Sequence, residues 1–360
     1  MSEDFVTQLG RQLRDADERE ARRGRVGRAA ATARANGRRP LRTAGALAAL
    51  ALCVALIAGV FARRAPSPAH QSGLYLVTRV GLTSGGGHLA SGFGSVWATD
   101  ARAGEVLRVA PGNGRVLARM RIGGEPEAIA AGAGALWTYD GHSGRLLRID
   151  PASGRVSSRL PLGLQPPVQV AVLDGRVWAG DLRRLLRIDP AGRRIVRRVS
   201  IGAGGLDAAS LTSDGRNIIV LGRNGKVVTY DGRTGTVLSS ISPPAAMSAL
   251  DGAARDVISD VDNGGADHGF TAVDRTTGRT VWRQRISAVF VDQAIVSGTT
   301  LWAHGTGTEH GDTLWRIDAN TGHMTGTLGL PGDGATALAS VGDRLWILTP
   351  AGDLEIVRGA

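Results

Sequence analysis

The sequence has few or none of several residues and motifs that would narrow its chemistry. Among 360 residues there is one cysteine, Cys53, so the chain can form no intramolecular disulfide and no zinc site built from several thiolates. It also lacks a Gly-rich phosphate-binding loop and the Gly-x-Ser-x-Gly turn that carries a hydrolase serine. These absences exclude the commonest nucleotide-binding and serine-hydrolase sites.

Lysine is almost absent, and the positive charge is unevenly distributed. The chain has 42 Arg and one Lys, and its formal net charge is +11. Residues 1–64 hold 13 Arg and 6 acids, which leaves a net charge of +4 for residues 65–360. Most of the net positive charge therefore lies in residues 1–64, which include the membrane segment predicted below, rather than in the domain that follows. We therefore expect no nucleic-acid partner.

Glycine is abundant, with 52 residues, and much of it belongs to an internal repeat. Segment Glu127–Pro167 holds four short apolar runs separated by Gly, Pro, Ser and Asp, which predicts four antiparallel strands, A to D. The first landmark of the repeat is a tryptophan in strand B, as at Trp137. A second landmark, such as LRIDPASGRV, recurs in strand C and the turn after it. The two landmarks align seven copies, and these residues occupy the same point of strand B: Trp97, Trp137, Trp178, Ile219, Ile258, Trp302 and Trp346.

The spacing of these copies predicts an all-β fold. Repeats of about 40–45 residues with four strands each are typical of β-propeller blades, so we expect a seven-bladed propeller over residues 73–360. The last copy has no strand D, whereas Gly73–Leu82 resembles the D strands of the other copies. We expect this N-terminal strand to complete the last blade, close the ring and remove an exposed sheet edge.

A single transmembrane helix is predicted before the propeller. Thr43–Ala62 is a stretch of 20 residues without a charge, long enough to cross a bilayer as a signal anchor. More Arg precede it than follow it, so the positive-inside rule places the N-terminus in the cytoplasm and the propeller outside the cell membrane. Residues 63–72 are a linker that spans at most about 35 Å, which would hold the propeller close to the membrane.

Residues 1–42 are expected to form an Arg-rich cytoplasmic tail. Ser2 can cap a short helix in which Phe5, Leu9 and Leu13 form one apolar stripe. Two interpretations remain open for this tail. It is either a disordered basic segment that only orients the protein in the membrane, or a docking helix for a cytoplasmic partner.

The two ends of the predicted blades differ in charge. The linker enters at the start of a D strand, so the end with the A–B and C–D turns should face the membrane. This end carries the arginines that we expect to contact anionic lipid, Arg155, Arg193, Arg194 and Arg233. The alternative is that these arginines only solubilise the turns.

The opposite end, with the D–A and B–C loops, is predicted to be the binding face. The candidate binding residues are Glu125, Glu127, His142, Asp207, Asp260, Asp262, Asp292, Asp312 and Asp333. The two longest B–C loops, Asp260–Gly269 and His304–Asp312, belong to blades five and six. The catalytic candidates, which could hold a divalent metal or act in acid–base chemistry, are His268, His304, Glu309 and His310. Their spacing matches no established ligand motif, and we predict no cofactor.

At LWTYDGHSGRLLRIDPASGRV the sequence resembles the YVTN and quinoprotein-like propeller superfamily, including the virginiamycin-B-lyase-like group. The resemblance covers Gly73–Ala360 and implies a propeller of the kind frequent in secreted or membrane-anchored bacterial proteins. Ala272–Trp282 is similar to the tryptophan-docking repeat of pyrroloquinoline-quinone enzymes, where this pattern is structural. The lyase group uses His and Glu on the propeller face, and His268, His304 and Glu309 lie in a comparable region.

Two functions from different classes follow from the sequence. The first is a non-enzymatic, membrane-tethered module that binds or scaffolds a protein, a peptide or an envelope glycan through the acidic loop face. The alternative is a lyase- or hydrolase-type enzyme that uses metal-assisted His and Glu chemistry on the same face. The sequence favours the first, because its motifs specify blade architecture rather than an activity.

Overall fold

The computed structural model of the chain describes residues 73–360, except 86, 202–207, 223–225, 243–250, 253–255, 263–267, 287–289, 309–310, 332–333 and 360. The chain divides into two units, Met1–Ser67 and Pro68–Ala360, and every described residue belongs to the second. The predicted tail, membrane segment and linker, residues 1–72, lie outside the described residues. Within the described ranges, no helix has the length and apolar character needed to cross a membrane.

The described residues form strands in a regular succession. In chain order the strands are β1 (Leu74–Gly81), β2 (Leu89–Gly92), β3 (Ser95–Asp100), β4 (Glu105–Val109), β5 (Val116–Arg121), β6 (Pro126–Gly132), β7 (Ala135–Asp140), β8 (Arg145–Ile149), β9 (Val156–Pro161), β10 (Gln169–Leu173), β11 (Arg176–Gly180), β12 (Arg184–Ile188), β13 (Ile195–Ser200), β14 (Ala208–Ser213), β15 (Asn217–Gly222), β16 (Val227–Asp231), β17 (Val237–Ile241), β18 (Asp251–Gly252), β19 (Asp256–Asp262), β20 (His268–Asp274), β21 (Thr280–Arg285), β22 (Phe290–Ser297), β23 (Thr300–Thr308), β24 (Gly311–Asp318), β25 (Met324–Leu330), β26 (Ala337–Val341), β27 (Arg344–Leu348) and β28 (Asp353–Gly359).

The described strands pair into seven antiparallel four-stranded sheets. Sheets 1 to 6 each consist of four consecutive strands, beginning with β2–β5 and ending with β22–β25, and sheet 7 has the order β26, β27, β28, β1. In each sheet we call the strands A to D in this order. The A strands contact one another in cyclic order, from β2 through β6, β10, β14, β18, β22 and β26 back to β2. The predicted all-β propeller of four-stranded blades is confirmed.

Sheet 7 is closed by the two ends of the described chain, as predicted. β1 pairs with β28 from Leu74 opposite Gly359 to Gly81 opposite Asp353. The Arg79 guanidinium binds the Asp353 carboxylate at 2.9–3.0 Å, across 274 residues of sequence. The strand that lies first in the sequence thereby covers the edge of the strand that lies last.

The seven landmark positions occupy one point of the B strands. Trp97, Trp137 and Trp178 each lie opposite an alanine of the neighbouring A strand, at positions 90, 130 and 171. Ile219 and Ile258 take the same place in sheets 4 and 5. The alignment of the divergent copies to these isoleucines is therefore confirmed.

The second landmark builds the C–D turn. Asp150 accepts hydrogen bonds from the backbone N–H and the hydroxyl of Ser153, at 2.7 and 2.8 Å. The next residue, Gly154, has a φ of +71°, which glycine adopts without strain. The same bonds join Asp231 to Thr234, Asp274 to Thr277 and Asp318 to Thr321. This recurring Asp therefore serves the turn rather than a ligand.

Each C–D turn packs against the preceding sheet, and the landmark tryptophans line this joint. A β-carbon at Gly192 of sheet 3 would lie 3.1 Å from the Trp137 ring of sheet 2, and its φ of +70° also favours glycine. Trp178 Nε1 donates to the carbonyl of Gly232 in sheet 4 at 2.8 Å. In sheet 5, where Ile258 replaces the landmark tryptophan, Trp282 of the D strand donates from Nε1 to the carbonyl of Ala319 in sheet 6 at 2.9 Å. The repeated residues thus fasten one sheet to the next.

Candidate ligand-binding faces

Because neighbouring strands are antiparallel, the connections collect at two ends of the sheets. The A–B and C–D turns lie at one end, which we call the turn face. The D–A and B–C connections lie at the other, which we call the loop face. The two faces correspond to the predicted membrane-facing and binding ends.

Buried carboxylates hold the loop face together. Asp140, at the end of β7, accepts the backbone N–H of Glu125 at 2.9 Å, so it fixes the connection that leads into its own sheet. Asp100 does the same for Ser84 at 2.7 Å, and Asp181 for Gln165 at 3.0 Å. All three carboxylates belong to buried residues. They give the loops a fixed conformation and contribute little exposed acidic surface.

The same carboxylates have lowered pKa values. Burial alone would raise the pKa of Asp100, Asp140 and Asp181, but hydrogen bonds to each charged form outweigh burial and lower it below the ordinary value of 3.8. For Asp140 the donors are the Ser143 hydroxyl and the backbone of Glu125, Ser143 and His142. Folding therefore favours the ionised carboxylates.

This ionisation predicts a loss of stability in acid. Because the folded pKa values are lowered, the stabilisation is present above the unfolded pKa of about 4 and is lost as the pH falls through the folded values. We expect the melting temperature of residues 68–360 to fall as the pH decreases below about 4, and the Asp140→Asn variant to show a shallower fall. Thermal melting at a series of pH values measures both slopes.

Asp174→Asn is the matched control, because the Asp174 side chain is 74% exposed on an A–B turn. It should leave the slope close to that of the unsubstituted domain. Equal slopes for Asp140→Asn and the unsubstituted domain would contradict the assigned role of the buried carboxylate.

Three of the predicted binding residues lie together at the loop face of sheet 2. Glu125 and His142 are exposed, and Glu127 is half-buried. Burial, followed by the charges of Glu125 and Asp140, raises the pKa of the Glu127 carboxyl above 4.5. The Tyr139 hydroxyl has its pKa raised by burial and by the neighbouring charges of Glu127, Asp140 and Asp181. We call Glu125, Glu127 and His142 the acidic patch.

Asp312 was predicted to be an exposed binding residue, but the structure places it in a buried position. It is buried and accepts the backbone N–H of Gly334 at 2.6 Å, so it fixes a D–A connection as Asp140 does. The side chains of the remaining predicted binding residues lie outside the described part of the structure: Asp207, Asp260, Asp262, Asp292 and Asp333.

The two predicted long loops are largely strand. β23 and β24 pair through Gly305 opposite Thr313 and on to Thr308 opposite Gly311. β19 and β20 pair as far as Asp262 opposite His268. The loop prediction was wrong there because backbone pairing, which any non-proline residue can make, extends both B–C hairpins through Gly- and Thr-rich sequence.

His304 is the one catalytic candidate whose side chain is described. It is 1% exposed inside β23, and its Nε2 lies 3.8 Å from Asp312 Oδ2. The side chains of His268, Glu309 and His310 lie outside the described residues. No group of three or more His, Cys, Asp and Glu suited to a metal ion occurs among the residues that the structure describes. The metal-assisted chemistry predicted for these four residues stays a prediction.

The predicted membrane-facing arginines occupy C–D turns of the turn face. Arg155 belongs to the turn of sheet 2, Arg193 and Arg194 to that of sheet 3, and Arg233 to that of sheet 4, and all four are exposed. Two of them border a groove between sheets 3 and 4 with a volume of about 570 Å³. Its charged lining residues are Arg176, Arg187, Asp189, Arg194, Arg197 and Arg233. We call it the arginine groove.

Sequence reasoning missed two arginines of this groove, Arg187 and Arg197, which lie on strands. Arg187 of β12 and Arg197 of β13 lie directly opposite each other. On its other side, Arg187 lies opposite Trp178 of β11. The residues at the place of Arg197 in the other sheets are Thr78, Ala118, Ser158, Ser239, Trp282 and Gly326. Comparing the copies position by position, rather than the turns alone, would have revealed the second arginine.

Comparisons with known proteins agree with this architecture. The family model of the outer membrane protein assembly factor BamB matches residues 144–288, fewer than half of the 360 residues. No curated protein sequence matches the chain. The described domain is a β-propeller, and over residues 144–288 it is similar to that family model.

Three solved structures illustrate the shared fold. BamB from Moraxella catarrhalis is 14% identical with a TM-score of 0.53, and the alignment covers 79% of this chain and 97% of that chain. Virginiamycin B lyase from Staphylococcus aureus is 15% identical with a TM-score of 0.59, covering 80% and 100%. BBS1N, in its complex with ARL6DN, is 17% identical with a TM-score of 0.61, covering 80% and 97%. At these identities the likeness concerns the fold alone.

Proposed function

We propose that this protein is a membrane-tethered β-propeller, held outside the cytoplasmic membrane, that binds or scaffolds a protein, a peptide or an envelope glycan through its loop face. The observation that carries the proposal is the acidic patch on connections whose backbone is fixed by buried carboxylates, as Asp140 fixes Glu125 at 2.9 Å. A site that is already ordered loses little conformational entropy on binding, so its exposed groups can contribute to affinity.

The chemistry of the patch favours a ligand with positive charge. Glu125 and Glu127 lie near the carboxylate of Asp140, and the raised pKa of Glu127 reports their mutual repulsion as well as burial. A cationic side chain or amino group bound between Glu125 and Glu127 would relieve this repulsion. Basic segments of an envelope protein, or an amino sugar, have this chemistry.

The tether is supported by the sequence and by the place where the propeller begins. The uncharged segment Thr43–Ala62 has the length of a membrane-spanning helix. β1 begins at Leu74 opposite Gly359, at the end of sheet 7 that corresponds to the C–D turns. A short linker entering there would direct the turn face toward the membrane and leave the loop face accessible. A role in envelope assembly with protein partners is also in keeping with the family model of BamB, an assembly factor.

One labelling experiment tests location and binding together. In the full chain with Cys53→Ala, we introduce His142→Cys in the acidic patch or Arg155→Cys on the turn face, both at exposed positions. Intact spheroplasts of cells that express these variants are treated with a membrane-impermeant maleimide that carries a photoreactive group. We expect both cysteines to be labelled before lysis, and illumination to give a discrete adduct from position 142 that position 155 does not give.

Adding Glu125→Gln and Glu127→Gln to His142→Cys should lower the adduct yield several-fold, because loss of complementary charge slows association. Labelling that requires lysis would overturn the extracytoplasmic location. An adduct that is unchanged by the two glutamines, or equally formed from position 155, would overturn binding through the acidic patch.

A further inference from the structure

The arginine groove has more positive charge than the fold requires. Residues 169–200, which form sheet 3, carry eight Arg and three Asp, so their net charge of +5 exceeds the +4 of residues 65–360 as a whole. One carboxylate, that of Asp189, belongs to the described lining of the groove, and it lies 3.8 Å from Arg194. Five arginines and this one aspartate thus line the groove on the turn face.

The pair Arg187 and Arg197 is the unusual element. Like charges directly opposite each other on neighbouring strands destabilise a sheet. In the aligned positions of sheets 1, 2 and 6, the arginine of strand C faces Ala118, Ser158 and Gly326 instead. Among the residues that the structure describes, neither Arg187 nor Arg197 forms a salt bridge. The arrangement is one that a bound anion would stabilise.

The geometry of the groove suits a phosphate group. Arg187 Nη1 donates to the backbone carbonyl of Arg233, which fixes one guanidinium at the joint between sheets 3 and 4. A β-carbon at Gly235 would lie 2.9 Å from Val199, so the turn of sheet 4 packs closely beside Arg197. Two guanidinium groups held on strands can bind the oxygens of one phosphate through paired, charge-assisted hydrogen bonds.

We propose that the arginine groove binds the phosphate of an anionic phospholipid headgroup. Its volume of about 570 Å³ exceeds what a phosphate alone would fill, and Val196, which is 41% exposed, and Pro190 offer apolar surface beside the arginines. The choice of a lipid over a free phosphate rests on the tether of the proposed function, because β1 starts at the turn-face end of sheet 7. The groove would then fix the orientation of the propeller on the membrane surface.

The test measures binding of short-chain lipids to the full chain in dodecyl maltoside. The ligands are dihexanoylphosphatidylglycerol, dihexanoylphosphatidylcholine and inorganic phosphate, titrated by calorimetry. We expect saturable binding of phosphatidylglycerol and about ten-fold weaker binding by Arg197→Ser, since a charge-assisted hydrogen bond to phosphate is removed. Serine occupies this position in sheets 2 and 4, so the variant should fold and should melt at the same or a higher temperature.

Arg198→Ser is the matched control, because it removes the same charge from the next residue of β13, which is exposed and does not line the groove. It should bind phosphatidylglycerol nearly as the unsubstituted protein does. An equal loss in both variants, or no saturable binding, would overturn the site. Inorganic phosphate binding as tightly as phosphatidylglycerol would overturn the lipid assignment. The titration needs neither a bilayer nor a partner, so its outcome is independent of the labelling experiment.

Discussion

Replacing Trp137 with alanine is expected to lower the free energy of unfolding by about 3–5 kcal/mol, the cost typical of removing a buried aromatic side chain. Trp137 has no exposed surface, and its Nε1 donates to the carbonyl of Gly132 at 3.0 Å. The Arg148 guanidinium lies 5.8 Å from the ring centroid, and Gly192 of the next sheet packs on its edge. The substitution therefore opens a cavity at the joint between sheets 2 and 3.

Urea unfolding of residues 68–360, the unit that contains every described strand, measures this loss. Val237→Ala is the control, since Val237 is 57% exposed on a D strand and its truncation should change stability by no more than about 0.5 kcal/mol. A loss for Trp137→Ala as small as that of the control would show that the tryptophan does not fasten the two sheets.

Removing the closing strand is expected to have a still larger effect. A variant that begins at Thr83 lacks β1, so β28 loses its hydrogen-bonded neighbour from Asp353 to Gly359. The buried Leu74 is lost as well. We expect a decrease on the order of 5 kcal/mol or more, comparable to the whole stability of a domain, together with association through the exposed edge.

Thermal melting and size-exclusion chromatography of three variants check this expectation. A variant that begins at Gly73 keeps β1 intact and should melt as residues 68–360 do. Adding a synthetic peptide of residues 73–82 to the variant that begins at Thr83 should restore a monomeric species. A monomeric and equally stable protein without β1 would contradict the closure of sheet 7 as a source of stability.

The sequence could predict the strands and their order because these depend on local patterns. Tryptophan and alternating apolar residues specify strand B, and Asp with a following Ser or Thr and Gly specifies the C–D turn. Even Ile219 and Ile258 were placed correctly from this register. Closure by residues 73–82 was also predictable, because a propeller sheet that ends without a D strand requires one from elsewhere.

The roles of individual polar residues could not be predicted in the same way. Asp140 and Asp312 resemble exposed acids in sequence, but each accepts a backbone N–H from a connection that only the folded chain brings near. His304 was assigned to a loop because Gly and Thr follow it, whereas strand pairing continues past it. Arg197 escaped notice because its meaning depends on Arg187 across the strand pair rather than on its neighbours in sequence.

The closure of sheet 7 also determines when the protein can finish folding. Arg79 and Asp353 are joined in space but lie 274 residues apart, so β1 is made first and acquires its partner last. During synthesis β1 has no strand partner in sheet 7 until residues 353–359 have been made. Contacts between such distant segments form slowly, because the ends of a long chain must first meet. Sheet 7 therefore closes only after β28 has been synthesised, and a nascent chain that lacks β28 cannot close the ring.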